Sequence, residues 1–249
     1  MDTTTTLLKE LTEASGISGY EAPIREVVRK HLAPLGELTS DRIGSVVCRR
    51  QGTAQEPRIM LAGHMDEIGF MIKYITDDGF IKFLPLGGWF DQVLLGQRML
   101  IKTSKGDVVG VVGIKAPHLI PRDERDKVIQ QKDMYIDIGA TNKKELEEAG
   151  VRVGDPIIPL ADFRVMANGK SYLSKAFDDR AGVALMISLL QELKKDEHPN
   201  TIFAAATVLE EFNLGGATTT AEVINPDVAI ILEVGIAGDT PDVKPEECS

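Results

Sequence analysis

The stretch from Thr201 to Leu209 is almost wholly apolar and runs straight into two glutamates, Glu210 and Glu211. A strand buried on both faces reads this way, and such strands belong to sheets covered by helices on both sides. A segment of this kind demands layers above and below it, so the chain must also supply amphipathic helices. It does. Leu7, Leu8, Leu11 and Ala14 recur at helical spacing, with the preceding threonines offering an N-cap and Gly16 a stop. Ile24, Val27, Val28 and Leu32 repeat the pattern between Pro23 and Pro34. Asp178 opens a third helix, with Ala181, Leu185, Met186, Leu189, Leu190 and Leu193 on its apolar side. Short apolar runs at Ser45–Cys48, Arg58–Ala62 and Asp227–Leu232 read as further strands, and a helix is expected near Ala217–Val223. The alternation predicts a mixed α/β sheet flanked by helices.

The character changes near Gly69. From there to about Phe163 the apolar stretches are short and punctuated by turns such as Asp78-Gly79, Gly87-Gly88 and Gly154-Asp155-Pro156. Phe80–Leu84, Val108–Val112 and Met134–Ile138 suit a compact β domain, with one helix around Lys143–Ala149. The expected organisation is an α/β domain made of residues 1–68 and 164–249, interrupted by a β-rich insert over 69–163.

The polar residues fall where such a fold gathers them. His64 and Asp66 follow one strand, Glu210 and Glu211 a second, and Glu233 a third, while Asp178 sits at a helix start. In open α/β sheets, sites form beyond the carboxyl ends of the strands. Imidazole and carboxylates delivered by three strands to one edge suit divalent zinc, manganese or cobalt. Such metals acidify water toward a pKa of about 7, and a shared carboxylate can hold two of them about 4 Å apart. Glu210 beside Glu211 offers one base and one ligand, and Asp66 is placed to fix the tautomer of His64 from its other ring nitrogen. Each residue also has a plainer use: Asp178 as a helix cap, the glutamates as a solvated face. His31, His118 and His198 lie outside the pattern.

The remaining numbers exclude other classes. A formal charge of −10 disfavours a nucleic-acid partner. No apolar run approaches the roughly 20 residues that span a membrane, and the first residues lack the basic and apolar regions of a secretion signal, so a cytoplasmic location is expected. Cys48 and Cys248 make neither a disulfide framework nor a thiolate metal site. A glycosidase needs two carboxyl groups about 5 to 10 Å apart. Adjacent residues ending one strand should point to opposite faces, and aromatics (5%) are few for a sugar platform.

Ala62-Gly63-His64-Met65-Asp66-Glu67-Ile68-Gly69-Phe70, Lys175-Ala176-Phe177-Asp178-Asp179-Arg180, Thr207-Val208-Leu209-Glu210-Glu211 and Val234-Gly235-Ile236-Ala237-Gly238-Asp239-Thr240-Pro241 stand in order along the chain. With Asp41-Arg42-Ile43-Gly44-Ser45, Gly87-Gly88-Trp89 and Asp137-Ile138-Gly139-Ala140, they resemble the glutamyl and deblocking aminopeptidase family, which includes the tetrahedral aminopeptidases. The resemblance implies a peptidase domain interrupted by a barrel-like β domain that mediates dimerisation, often toward dodecamers. It implies two divalent metals and release of the N-terminal residue from short peptides. By that resemblance Asp178 bridges the metals, His64 and Glu233 complete one site, and Glu211 binds the other. Glu210 is the general base and Asp66 orients His64.

Three departures stand out. Glu233 occupies a position where the family usually has Asp. Phe212-Asn213-Leu214-Gly215 replaces the usual Val-Gly-Leu-Arg. Family members also continue for roughly another hundred residues, a domain-sized length, which hold the remaining histidine ligand. One metal site is therefore expected to be short of a ligand, and an inactive or assembly-only chain is the alternative.

Overall fold

A computed structural model describes residues 2–194 and 197–247; Cys248 lies outside them. Two compact units are formed, one by Met1–Asp66 with Phe163–Ser249, the other by Glu67–Asp162. In chain order the first unit begins with α1 (Thr3–Glu13), α2 (Ala22–Leu32), β1 (Glu37–Ser40), β2 (Val46–Arg50) and β3 (Arg58–His64). The second unit contains β4 (Gly69–Ile75), β5 (Ile81–Leu86), β6 (Arg98–Thr103), β7 (Gly106–Gly113), β8 (Tyr135–Asp137), α3 (Lys143–Glu148) and β9 (Pro156–Pro159). The chain returns through β10 (Arg164–Val165), β11 (Tyr172–Leu173), α4 (Phe177–Leu193), β12 (Thr201–Thr207), α5 (Glu210–Asn213), α6 (Gly215–Ile224) and β13 (Val228–Ile231). No helix among the described residues is long and apolar enough to cross a membrane.

The sheet of the first unit has the order β1-β2-β12-β3-β13. β3 pairs in parallel with β12 and β13, whereas β2 runs antiparallel to β12. The apolar run that begins at Thr201 is the central strand, and every residue of β12 is buried. Alternation within each strand splits the core into two layers. Val46, Cys48, Leu61, Ala204 and Ala206 face Leu7, Leu11, Ile24, Val28, Val183, Ile187 and Leu190 of α1, α2 and α4. Val47, Met60, Ala62, Phe203 and Ala205 face the other way, toward Ile224 of α6.

Arg180 is fully buried in the first layer. Its guanidinium donates to the carbonyls of Leu11, Ala14 and Met65, fastening the end of α1 to the segment that follows β3. The planar fork of donors makes arginine suited to gathering several carbonyls that would otherwise be buried unpaired.

The second unit closes a barrel with the order β4-β5-β8-β7-β6-β9 around Phe70, Ile72, Ile81, Met99, Ile101, Ile136 and Ile157.

Several local expectations are corrected. The N-cap of α1 is Asp2, whose carboxylate accepts from the Thr5 N–H, rather than a threonine. The central strand stops at Thr207, and Leu209 takes a left-handed conformation (φ 58°) that turns the chain directly into α5. Glu210 and Glu211 therefore occupy one helical turn and do not alternate across a strand. Asp178 and Asp179 lie within α4 but have non-helical backbone angles, and Ala176 before them is left-handed (φ 56°). Asp178 is thus released from a capping role, since no side-chain cap bond is made at the start of α4.

Candidate metal centre

Parallel strands share one carboxyl edge, and the register places the candidate residues along it. Thr207 stands opposite His64, and Ile231 opposite Ala62, so Glu233 comes level with His64. His64 is the last residue of β3, 2% exposed. Its Nδ1 lies 3.1 Å from the backbone carbonyl of Asp66. A carbonyl only accepts, so Nδ1 carries a hydrogen, and Nε2 is the nitrogen left to face the carboxylates or, once its own proton is displaced, a metal. That Nε2 is 2.9 Å from Asp178 Oδ1, 3.7 Å from Glu210 Oε2 and 3.8 Å from Glu233 Oε2. One ligand atom each from His64, Asp178 and Glu233 lie within 4.8 Å of one another. Glu211 falls outside that tight group.

Asp66 does more than sit beside the imidazole. Its Oδ1 is 3.4 Å from His64 Nδ1, farther than its own backbone carbonyl. The same carboxylate accepts from the N–H groups of Glu210 (3.1 Å) and Glu211 (3.2 Å) and from the Ser18 hydroxyl (2.6 Å). It is fully buried. Burial alone would raise its pKa, but the hydrogen bonds from His64 and Ser18 outweigh this and hold it below the ordinary range. A permanent carboxylate therefore straps the glutamate pair to the residue that follows His64.

Asp179 is the participant that residue spacing missed. It is 0% exposed and accepts from the His64 N–H (3.0 Å) and the Gly182 N–H (3.1 Å). Its space is bounded by two glycines: a Cβ on Gly63 would meet Asp179 Oδ2 at 2.8 Å, and one on Gly182 would meet Asp179 Oδ1 at 2.5 Å and the Leu232 carbonyl at 2.8 Å. Gly182→Ala is expected to destabilise the fold by about 1–3 kcal/mol, the usual cost of overpacking, and to loosen metal binding by displacing Asp179 from His64. Thermal melts with and without metal check this; an unchanged melt would refute the close packing.

Electrostatics show a cluster with too much negative charge. Burial, then the Asp178 charge, pushes Glu211 up to about 7. Burial, then the Glu233 charge, pushes Asp179 up to about 7. Glu210 is raised by burial, and the nearby acids outweigh the relief from His64. For His64, burial would lower the pKa, yet the bonds to Asp178 and Asp66 win and carry it to about 11. Like charges crowded around one imidazole retain protons unless a cation replaces them. The donor set of hard oxygens with one imidazole fits a divalent transition metal.

Ser18 gave no signal in the sequence, because a serine is read as a partner only once the fold has brought it to Asp66. Asp179 stood in plain view, but nothing distinguished its buried carboxylate from the exposed one of Asp178.

Known proteins agree with this reading of the fold. A TET aminopeptidase from a marine sediment Thaumarchaeota archaeon superposes with a TM-score of 0.96 at 47% identity, covering 98% of this chain and 69% of that one. The Pyrococcus horikoshii TET1 peptidase, described as assembling into a tetrahedron or a large octahedral shell, gives 0.85 at 36% identity, covering 97% and 72%. The glutamyl aminopeptidase of Lactococcus lactis is 36% identical over 237 residues, 94% of this chain and 67% of its own length. The chain spans about two thirds of the length of the curated relatives it matches. Residues 2–28 match a family described as AMPT. Residues 44–249 match the M42 glutamyl aminopeptidase family, and the chain belongs to that family.

Proposed function

We propose that this chain carries the catalytic centre of a metal-dependent aminopeptidase that removes the N-terminal residue from short peptides. The observation that carries the reading is the grouping of His64, Asp178 and Glu233 within 4.8 Å, with Glu210 beside them at the carboxyl edge of the sheet. His64, Asp178 and Glu233 would hold one divalent ion, and Asp178 with Glu211 would contribute to a second. Zinc, cobalt and manganese all suit these donors. When bound, such ions supply Lewis acidity, which acidifies water and polarises a carbonyl.

The chain's own residues do the rest. The Asp66 carbonyl fixes the tautomer of His64, and the Asp66 carboxylate holds Glu210 and Glu211 by their backbone N–H groups. Glu210 would take a proton from the attacking water on its carboxylate and return it to the departing amine. Burial and the neighbouring acids raise its pKa, the direction that a group which both takes and returns a proton requires. The chain is proposed to form homo-oligomers, dimers and dodecamers, with the second unit as the interface; the dodecameric and shell-forming Pyrococcus horikoshii relatives support the assembly itself.

The purified chain should release N-terminal residues from short peptides, lose that activity on chelation, and regain it with zinc, cobalt or manganese. Stoichiometric metal with no turnover would overturn the catalytic reading. Sedimentation of the same preparation tests assembly, and a strict monomer would count against it.

A further inference from the structure

The second unit holds a feature that the peptidase reading leaves unused. A cavity of about 560 Å³ there is lined by Lys82, Lys115, Lys127 and Lys132, with Asp133 as its one acid. A neighbouring hollow of about 330 Å³ shares Lys82 and Lys132 and adds Lys73. In a chain of formal charge −10, this is a local reversal of sign. A concave surface on which one sign of charge predominates concentrates counter-charges. Among the described residues, Lys73, Lys115, Lys127 and Lys132 form no ion pair within the chain.

The walls between the lysines are apolar: Ile114, Ile120, Val128 and Ile129 in the larger hollow, Tyr74 and Leu84 in the smaller. The rim is built rather than incidental. Lys82 Nζ donates to the carbonyls of Lys132 (3.1 Å) and Met134 (2.7 Å), and the Tyr135 hydroxyl donates to the Ile114 carbonyl (3.1 Å). Lys82 is thus largely spent on the rim, which leaves Lys73, Lys115, Lys127 and Lys132 to meet a ligand.

We propose that this lysine-lined groove binds an acidic, partly apolar peptide segment in an extended form. Extended chains alternate side chains between two faces, so a segment of alternating acidic and apolar residues can satisfy the lysines and the isoleucine walls together. A small anion would leave the walls in contact with water. A long polyanion would meet the repulsion of the remaining acidic surface.

The test uses the full chain in chelator and a fluorescein-labelled peptide of alternating Glu and Leu, acetylated and amidated so that it offers no free N-terminus. Anisotropy should show saturable binding that weakens about tenfold or more, as electrostatic contacts do, in the double variant Lys115→Glu with Lys127→Glu. Lys170→Glu, at an exposed turn in the other unit, should leave it unchanged. The proposal is overturned by no binding, by equal affinity in the double variant, or by an equal loss in Lys170→Glu. It is also overturned if inorganic phosphate or a single-stranded oligonucleotide competes as well as unlabelled peptide. Circular dichroism of the double variant confirms that a loss of binding is not a loss of fold.

Discussion

Glu210→Gln is expected to lower peptide turnover by about 10²–10⁴-fold, the range associated with losing a general base, while metal content stays unchanged. Glutamine keeps the size of the side chain, and the Glu210 N–H that binds Asp66 is unaffected by it. Proton acceptance is what it removes. The loss should fall on kcat rather than KM, because an interaction made only in the transition state does not weaken substrate binding. His64→Ala should behave differently, since the imidazole is a proposed ligand and metal should fall with activity. If Glu210→Gln retained full turnover with metal bound, Glu210 could not be the base. Glu211, the other glutamate of the same turn and pushed up to about 7, would then be the one to examine.

Metal-free protein is expected to lose stability as pH rises from about 5 to 7, and divalent metal to restore it at neutral pH. The sign follows from proton counting. Asp179 and Glu211 have folded pKa values of about 7 against ordinary values of 3.8 and 4.5. Across that window the native state keeps protons that the unfolded state has lost, so unfolding gains with each step upward. Fully buried Asp179, raised from 3.8 to about 7, sets an upper bound of about 4 kcal/mol; half-buried Glu211 adds less because solvent screens it. His64 acts in the same direction at higher pH. Its stabilising proton is fully effective below about 6.5 and is lost as pH rises toward about 11. Acids with lowered values, such as Asp66 and Asp41, have the opposite sign but act below about pH 4. Denaturant melts in chelator at pH 5 and 7 check the slope. A flat or rising profile would sink the account, and Asp179→Asn should shrink the slope.

The outline of the fold was legible because burial writes itself into composition. The apolar run at Thr201 did become the central strand, and the helices beginning near Leu7, Ile24 and Asp178 became its cover. His64 and Glu233 came together because their strands share one edge, and the start of α4 brings Asp178 to them. Less legible was everything decided by backbone conformation at single residues. Left-handed Leu209 and Ala176 are both ordinary apolar residues in the sequence, yet they aim the Glu210–Glu211 turn and the Asp178–Asp179 pair. Partners set by long-range packing were also hidden: Ser18 reaches Asp66, and Asp179 reaches the backbone of His64, through folds no local pattern announces.

The strand order carries a consequence for how the chain is made. β3 lies between β12 and β13, pairing Met60 with Phe203 on one side and Ala229 on the other. Both partners leave the ribosome only after the whole barrel unit has been synthesised. At ordinary elongation rates β3 waits on the order of ten seconds with both edges open. During that interval it is an apolar, unpaired template of the kind that recruits other chains. Expression yield should therefore depend on translation speed through the barrel segment, and the proposed ligands His64, Asp178 and Glu233 can come together only once Glu233 has been made.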